Sequence, residues 1–272
     1  MREVELHHGV RTDVGLVREV NEDALLASPP VFVVADGMGG HEGGDVASRI
    51  VVEEFARLVD DDYDPRRGGE LVAQALRASQ RRIQEYGEEQ TIERPVRGYA
   101  GTTVAAALLV DDDGPRWLLV NLGDSRIYRF TDDRLEQVSV DHSVVQELVD
   151  AGAITAEDAA THPERHVITR ALGGPDLPEP DYFLLPLTAV ERLLLCTDGV
   201  SGLIDEEAIA AVLREADDPR DAADQLVERA LAAGGRDNAT AIVVDVVGWS
   251  EVRDYDSDRE RLSLEQKLGA LP

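Results

Sequence analysis

Val-Phe-Val-Val-Ala-Asp-Gly-Met-Gly-Gly, residues 31–40, is an apolar run that ends in an aspartate and a glycine-rich turn. A short, continuous apolar run of this kind, rich in valine, is typical of a strand that is buried on both faces. Asp36 then lies at the end of that strand, and Gly37 lets a ligand approach the backbone closely. The stretch therefore predicts a rigid strand that presents one carboxylate at its end.

The same arrangement of an apolar run beside an acid recurs along the chain. The other members are Leu193–Thr197 before Asp198, Leu118–Leu122 before Gly123 and Asp124, and Asp237 before the run Ala239–Val244. Acids that converge from rigid strand ends repel one another unless a cation lies among them. Taken alone, each aspartate also fits an ordinary turn or helix cap, but the repeated pattern favours a metal site built from oxygen ligands.

The remaining pattern predicts an α+β domain with antiparallel sheets. Apolar residues at helical spacing predict helices over 45–58 and 70–86, and later ones over 206–215 and 219–233. Strands are expected at 6–11, 24–27, 31–35, 102–110, 116–122, 127–130, 135–138, 182–187, 192–197 and 239–247. The short links 111–114, 123–125 and 131–133 resemble hairpin turns, which favour antiparallel pairing over a parallel, doubly wound sheet. Residues 1–247 are expected to form one catalytic domain, and 248–272 a charged tail that is partly ordered.

Composition limits the classes of partner. The 272 residues are 43% hydrophobic and carry a formal net charge of −28, with a pI of about 4.4. Such a chain is repelled by nucleic acid and by anionic membranes. No apolar stretch approaches the roughly 20 residues that cross a bilayer, and the amino terminus shows no signal-peptide pattern. We expect a cytoplasmic monomer without membrane insertion, in which the single Cys196 is a core residue rather than a nucleophile.

Six sequence blocks occur in an order that carries a family resemblance. They are 11–24 with Arg18 and Asp23, 34–41 with Asp36 and Gly37, Gly101–Thr103, Asn121–Arg126, Cys196–Gly199 and Gly235–Thr240, and Ile168–Gly174 adds a seventh match. The set resembles the metal-dependent protein phosphatases of the 2C type, in their compact bacterial serine/threonine form, over about residues 5–247. The resemblance implies a four-layer α-β-β-α sandwich, in which two antiparallel sheets pack face to face with helices on both outer sides.

The resemblance also implies roles at matched positions. Asp36 would bridge two Mg²⁺ or Mn²⁺ ions, and the carbonyl of Gly37 would help to hold one of them. Asp198 and Asp237 would complete the ligands of the second ion. Further residues would act as follows: Glu22 and Asp23 mainly through metal-bound water, Asp124 with Asp198 at a third ion found in bacterial relatives, and Arg18 on the substrate phosphate. The expected catalytic residues are thus Arg18 and Asp36.

The implied activity is hydrolysis of phosphoserine and phosphothreonine in proteins by a water that bridges two divalent ions. Uncatalysed hydrolysis of phosphate monoesters is very slow, and paired metal ions can activate water and stabilise charge on the phosphoryl oxygens. Hard oxygen ligands suit Mg²⁺ and Mn²⁺. The expected partners are phosphorylated proteins and a serine/threonine kinase whose signalling the enzyme opposes. Because the chain is acidic, Arg18 and the ions must supply the positive field that attracts phosphate.

Several alternatives stay open at this point. Animal members of the family have a histidine after the Asp-Gly pair as a proposed general acid, whereas this chain has Met38; His41 or a metal-bound water could serve instead. His142 and His162 are expected to be structural or exposed. Arg18 could form a surface ion pair with Glu22 or Asp23 instead of binding phosphate. The rival functions are a phosphatase of the sigma-factor switching type and a silent member that only binds phosphoproteins.

Overall fold

A computed structural model describes residues 3–39, 43–60, 63–93 and 100–250. Twelve strands are present within these ranges: β1 Glu3–Asp13, β2 Ala24–Ser28, β3 Val31–Ala35, β4 Gly37–Met38, β5 Gly101–Thr102, β6 Val104–Asp111, β7 Pro115–Leu122, β8 Arg126–Thr131, β9 Arg134–Gln137, β10 Asp181–Pro186, β11 Arg192–Cys196 and β12 Ala239–Ser250. Seven α-helices accompany them: α1 Gly44–Asp60, α2 Gly68–Glu93, α3 Val144–Asp150, α4 Ala156–Thr161, α5 Asp198–Ser201, α6 Glu206–Glu215 and α7 Pro219–Ala232.

Ten of the strands form two five-stranded antiparallel sheets. The first sheet has the order β1-β12-β11-β8-β9, and the second has the order β10-β7-β6-β3-β2. A separate two-stranded ladder joins β4 to β5, with Gly37 opposite Thr102. The antiparallel arrangement confirms the sequence-based prediction, although the broken strand at Thr103 divides the expected strand 102–110 into β5 and β6.

Successive side chains along a strand point to opposite faces of its sheet, so the core consists of three buried clusters. One cluster lies between the two sheets, and the other two lie between each sheet and its helices. Phe32 and Val34 of β3 face the first sheet, where they share a buried cluster with residues such as Leu193 and Ile242. Val31 and Val33 face the other way and pack with α1 and α2. On the far side, Leu194 and Cys196 of β11, together with other residues of the first sheet, pack against α6 and α7. The protein is therefore a four-layer α-β-β-α sandwich, which confirms the predicted fold.

This layering explains why the buried strands β3, β6 and β11 have no polar alternation. A sheet covered on both faces buries every side chain of its central strands, and all five residues of β3 are fully buried. The continuous apolar runs of the sequence are the consequence. Cys196 is among the buried residues, and burial raises the pKa of its thiol to about 12, as expected for a core residue.

One predicted turn is wrong. The link Gly123–Ser125 is not a hairpin turn, because β7 belongs to the second sheet and β8 to the first. The three residues instead carry the chain from one sheet to the other, with Gly123 at a φ of 108° that favours glycine. The two other links are hairpins, between β6 and β7 and between β8 and β9. Asp132 and Asp133 both have positive φ in the second of these turns.

The described part of the chain contains no helix long and apolar enough to cross a membrane. His41 and the tail beyond Ser250 lie outside the described residues.

Candidate active site

The strand registers bring the predicted acids to one end of the sandwich. In the second sheet, Ala24 pairs with Ala35, so Asp23 before β2 and Asp36 after β3 lie next to each other. In the first sheet, Cys196 pairs with Ala241 on one side and with Arg126 on the other. The three segments that carry Asp198, Asp237 and Asp124 therefore begin or end at the same edge.

These residues surround an open cavity of about 800 Å³. Its lining includes seven of the eight predicted site residues: Arg18, Glu22, Asp36, Gly37, Asp124, Asp198 and Asp237. The eighth, Asp23, is not on the cavity lining but lies beside it, close enough for its carboxylate to affect Asp36 electrostatically. The lining also contains Arg165, His166 and Arg236, for which the sequence analysis assigned no role.

Asp23 is fixed by two threonines at the strand ends. Its Oδ2 atom accepts hydrogen bonds from the hydroxyl groups of Thr197 at 2.9 Å and Thr240 at 2.7 Å, whereas its Oδ1 atom is buried without a hydrogen-bond partner among the described residues. Burial and then the charges of Asp198 and Asp237, opposed by the two threonine bonds, raise the pKa of Asp23 to about 7. The carboxyl is thus held in place with one oxygen unpaired.

The backbone of Asp36 is held on both sides. Its amide donates to the Thr103 hydroxyl at 2.9 Å, and its carbonyl accepts from the Thr103 amide and the Thr102 hydroxyl, each at 2.9 Å. Burial, followed by the repulsion of Asp23 and Asp198, holds the pKa of Asp36 well above its ordinary value. Burial and the charge of Asp237 raise the pKa of Asp198 as well, and a hydrogen bond with Asp36 opposes this rise. Neighbouring acids of this kind titrate together rather than as separate residues.

Asp124 is the most buried of the lining acids, with 8% of its surface exposed. Its Oδ1 atom has no hydrogen-bond partner among the described residues, and burial followed by the charges of Asp198 and Asp141 raises its pKa to about 8. The turn that carries it is fixed by His142, whose Nδ1 accepts from the amide of Gly123 at 3.2 Å and whose own amide donates to the Gly123 carbonyl at 3.0 Å. His142 is therefore structural, as predicted.

Asn238 joins the two loops that flank the cavity. Its side-chain amide donates to the carbonyls of Val14 and Val20, both at 2.9 Å, and its Oδ1 atom accepts from the amide of Glu22 at 2.8 Å. Burial is the main cause of a raised pKa for Glu22, which faces the cavity. Asn238 occurs in a motif that the sequence analysis quoted, but only its three long-range bonds reveal its function as a clamp.

Arg18 pairs with a residue that is distant in sequence. Its guanidinium donates to Oδ2 of Asp237 at 2.7 Å, and the second oxygen of that carboxylate accepts from the Asn238 amide at 2.9 Å. Arg18 therefore pairs with Asp237 and not with Glu22 or Asp23, the two partners that the sequence had left open. About half of the Arg18 side chain stays exposed at the edge of the cavity, where it can reach an incoming anion.

His142, His162 and His166 lie in three different surroundings. His142 is buried behind Gly123, and the imidazole of His162 accepts from the backbone of Glu164 in an exposed loop. His166, which the sequence analysis did not single out, lines the cavity with its Nδ1 atom 3.9 Å from Oδ2 of Asp198. His41 lies outside the described residues, and its proposed role stays untested.

The chemistry of the cavity fits a hard divalent cation. Its acids supply carboxylate oxygens, and two of the buried oxygens, on Asp23 and Asp124, lack partners among the described residues. Against this, no three His, Cys, Asp or Glu side chains in the described ranges meet in the geometry of a single metal site. Arg18 contacts one oxygen of Asp237, which is one of the predicted ligands. The shared cavity and the two unpaired oxygens favour a cation site, and the individual ligand roles stay predictions.

Comparison with known proteins provides independent information. Residues 17–233 match the family described as protein phosphatase 2C. The chain is 41% identical over 254 residues to the serine/threonine protein phosphatase PstP of Mycobacterium tuberculosis, which covers 92% of this chain and 46% of the relative. It is 34% identical over 249 residues to the serine/threonine phosphatase stp of Listeria innocua, with 88% and 96% covered.

Solved structures agree with these sequence matches. The catalytic domain of PstP, solved in complex with two manganese ions, superposes with a TM-score of 0.77 at 37% identity and covers 90% of this chain and 100% of that one. The chain spans about half the length of the first curated relatives that it matches, namely 46% of PstP.

Proposed function

Because the chain belongs to the protein phosphatase 2C family, we propose that it is a metal-dependent phosphatase that hydrolyses phosphoserine and phosphothreonine in proteins. The observation that carries this proposal is the convergence of acids from both sheets, with Arg18 beside them, on one cavity of about 800 Å³. The bacterial relatives named as serine/threonine phosphatases support the substrate class. We also propose that the chain acts in the cytoplasm as a monomer that opposes serine/threonine kinases in signalling.

We assign the acids to metal sites as the family resemblance implies. Asp36 and the Gly37 carbonyl would hold one Mn²⁺ or Mg²⁺ ion, and Asp36, Asp198 and Asp237 the second. Glu22 and Asp23 would orient coordinated water, and Asp124 would contribute to a third ion. When bound, two such ions lower the pKa of water between them and stabilise negative charge on phosphoryl oxygens. The PstP structure with two manganese ions supports this choice of cofactor.

The protein's own residues bind and orient the phosphate. The net charge of −28 and the acidic lining repel a phosphorylated substrate, so a local cation is needed. Arg18 is the cation whose guanidinium already lies against the acid cluster. Among the described residues the guanidinium bonds only to Asp237, so its other donors can bind phosphate oxygens, and arginine binds such groups in a fixed geometry.

Asp36 and Asp198 are the best points at which to test the proposal. Hydrolysis of an aryl phosphate and of a phosphothreonine peptide should require Mn²⁺ and stop with chelator. Asp36→Asn and Asp198→Asn preserve shape but remove charge, and they should each reduce kcat/KM by at least about 10³-fold, since metal activation supplies much of the rate enhancement. Asp113→Asn, in the distant hairpin between β6 and β7, is the matched control and should retain full activity.

The same assay tests the rival function of a silent member of the family. A silent phosphoprotein-binding protein would bind the phosphothreonine peptide but show no turnover with Mn²⁺ or Mg²⁺. Undiminished activity of the wild-type protein after complete removal of divalent ions would contradict the proposed mechanism. Unchanged activity of both aspartate variants would show that the cavity is not the catalytic site.

A further inference from the structure

The loop that carries Arg18 also carries an exposed apolar patch. Leu16, Val17 and Val20 expose 70%, 66% and 59% of their surfaces, and they are the most exposed of the large hydrophobic residues in the part of the chain that the structure describes. All three lie within two residues of Arg18 along the chain. Single exposed apolar residues are ordinary on protein surfaces, but a cluster beside a binding group indicates a contact surface.

Hydrogen bonds from both of its ends and its middle hold this loop in place. The amide of Leu16 donates to the carbonyl of Gly235 at 2.7 Å, and the side chain of Asn238 binds the carbonyls of Val14 and Val20. Leu16 also lies against Gly235, where an added Cβ atom would come within 2.9 Å of the Leu16 side chain. The patch is thus a preformed surface, which reduces the entropy lost when a partner binds.

We propose that Leu16, Val17 and Val20 form a docking patch for apolar side chains that flank the phosphorylated residue of a protein substrate. This inference rests on the proposed phosphatase function, because Arg18 would fix the phosphate next to the patch. An extended peptide advances about 3.3–3.6 Å per residue, so side chains one or two positions from the phosphorylated residue reach about 7 Å from it. Leu16, Val17 and Val20 lie within two residues of Arg18 along the loop, so their Cα atoms are at most about 7 Å from the Arg18 Cα atom.

Charge favours a peptide substrate with apolar or basic flanks over acidic flanks or a second copy of the chain. Glu19 lies within the same loop, and Glu22 and Asp237 are close to Arg18. An acidic flank would be repelled by these groups, and two copies of a chain with a net charge of −28 repel each other. Charge thus disfavours acidic flanks, and the apolar surface of the patch favours apolar flanks over basic ones.

The test compares two phosphothreonine peptides that differ only in their flanks, leucine in one and serine in the other. The patch variant is Leu16→Gln with Val17→Thr and Val20→Thr, which keeps side-chain volume but removes apolar surface. Its matched control is Leu184→Gln with Val10→Thr and Val247→Thr, which changes one leucine and two valines that are 41–51% exposed elsewhere. Each is assayed on both peptides and on p-nitrophenyl phosphate, and thermal unfolding checks that each variant is folded.

For the wild type and the control variant, kcat/KM should be about tenfold higher for the leucine peptide than for the serine peptide. This ratio is at the low end of the range that apolar contacts contribute to enzyme specificity. The patch variant should lose this preference while its activity on p-nitrophenyl phosphate stays unchanged. If the triple variant does not fold, Val17→Thr alone should lower the preference. Equal kcat/KM of the wild type for both peptides would overturn the docking patch but leave the phosphatase function intact.

A binding measurement keeps the inference testable if turnover is absent. Fluorescence anisotropy with non-hydrolysable phosphonate versions of the two peptides should show the same preference, and its absence in the wild type would overturn the patch. Failure of the wild type to hydrolyse any substrate would contradict the proposed function separately. Sedimentation velocity that shows a wild-type dimer and a monomeric patch variant would assign the patch to self-association and overturn the proposal.

Discussion

Replacing Asn238 with alanine should destabilise the protein and displace the loop that binds phosphate. Asn238 is 5% exposed and its side chain forms three bonds, to the carbonyls of Val14 and Val20 and from the amide of Glu22. Each bond contributes about 1 kcal/mol, and each buried group left unpaired costs about 1–3 kcal/mol. We therefore expect the free energy of unfolding to fall by about 3–5 kcal/mol, a large part of the stability of an ordinary domain.

Urea unfolding with and without the substitution measures this change, provided that the slope against urea is constant. Asn238→Asp separates hydrogen bonding from volume, because it keeps the acceptor and loses both donors; it should cost nearly as much as alanine. Gln74→Ala removes a single exposed bond to Glu70 and, as a control, should change stability by less than about 0.5 kcal/mol. In the folded Asn238→Ala variant, KM for aryl phosphate should rise because the Arg18 loop is released. A loss of stability below 1 kcal/mol would refute the assignment of Asn238 as a clamp.

Three further predictions concern charge and packing. The pKa of Asp124 is raised to about 8 in the folded protein, so the folded form keeps a proton that the unfolded chain loses near pH 4. Stability therefore falls as pH rises between these two values. Asp124→Asn should raise the Tm of chelator-treated protein at pH 8 but not at pH 4, and equal Tm shifts at both pH values would contradict this reasoning. Gly199→Ala would place a Cβ atom 1.8 Å from a neighbouring backbone carbonyl oxygen, so it should lower the stability of the protein by at least about 2 kcal/mol and reduce its activity. Gly69→Ala, which has open space around it, is the control and should not lower the Tm in thermal melts. Arg192→Met breaks a buried pair with Asp245 and leaves that acid unpaired, so urea unfolding should show a loss of about 3–5 kcal/mol without a change in KM, and a neutral effect would show that the pair is dispensable.

The strands were predictable because their signal is local. Residues 31–35 and 206–215 match β3 and α6 to the residue, since an apolar run and a helical stripe each lie within one short window. Helix α2 runs to Glu93, beyond the predicted end at residue 86, because Gly87 does not end it and no proline occurs before Glu93. Helix ends are set by tertiary packing as much as by composition.

The features that the sequence did not predict have a common physical reason, because each depends on residues that are distant along the chain. Gly123–Ser125 has the composition of a hairpin turn, and only the sheet to which each flanking strand belongs shows that the chain changes sheets there. Arg18 has acids within five residues, yet its partner Asp237 lies 219 residues away. The hydroxyls of Thr197 and Thr240 bind Asp23 across similar separations, and no short window contains that information.

The geometry of the sandwich explains how a repulsive group of acids can persist in a folded protein. Asp36 directly follows the buried strand β3, Asp198 lies two residues beyond the end of the buried strand β11, and Asp23 directly precedes β2. Acids on long loops would separate to relieve their repulsion, but these cannot move apart without displacing strands whose apolar side chains each contribute about 1.5–3 kcal/mol by burial. Burial first, and then the repulsion that this rigidity preserves, raise the pKa values of Asp23, Asp36 and Asp198. The cost of convergence is therefore offset by the core between and outside the sheets, and a divalent cation is the ligand that would convert the repulsion into attraction.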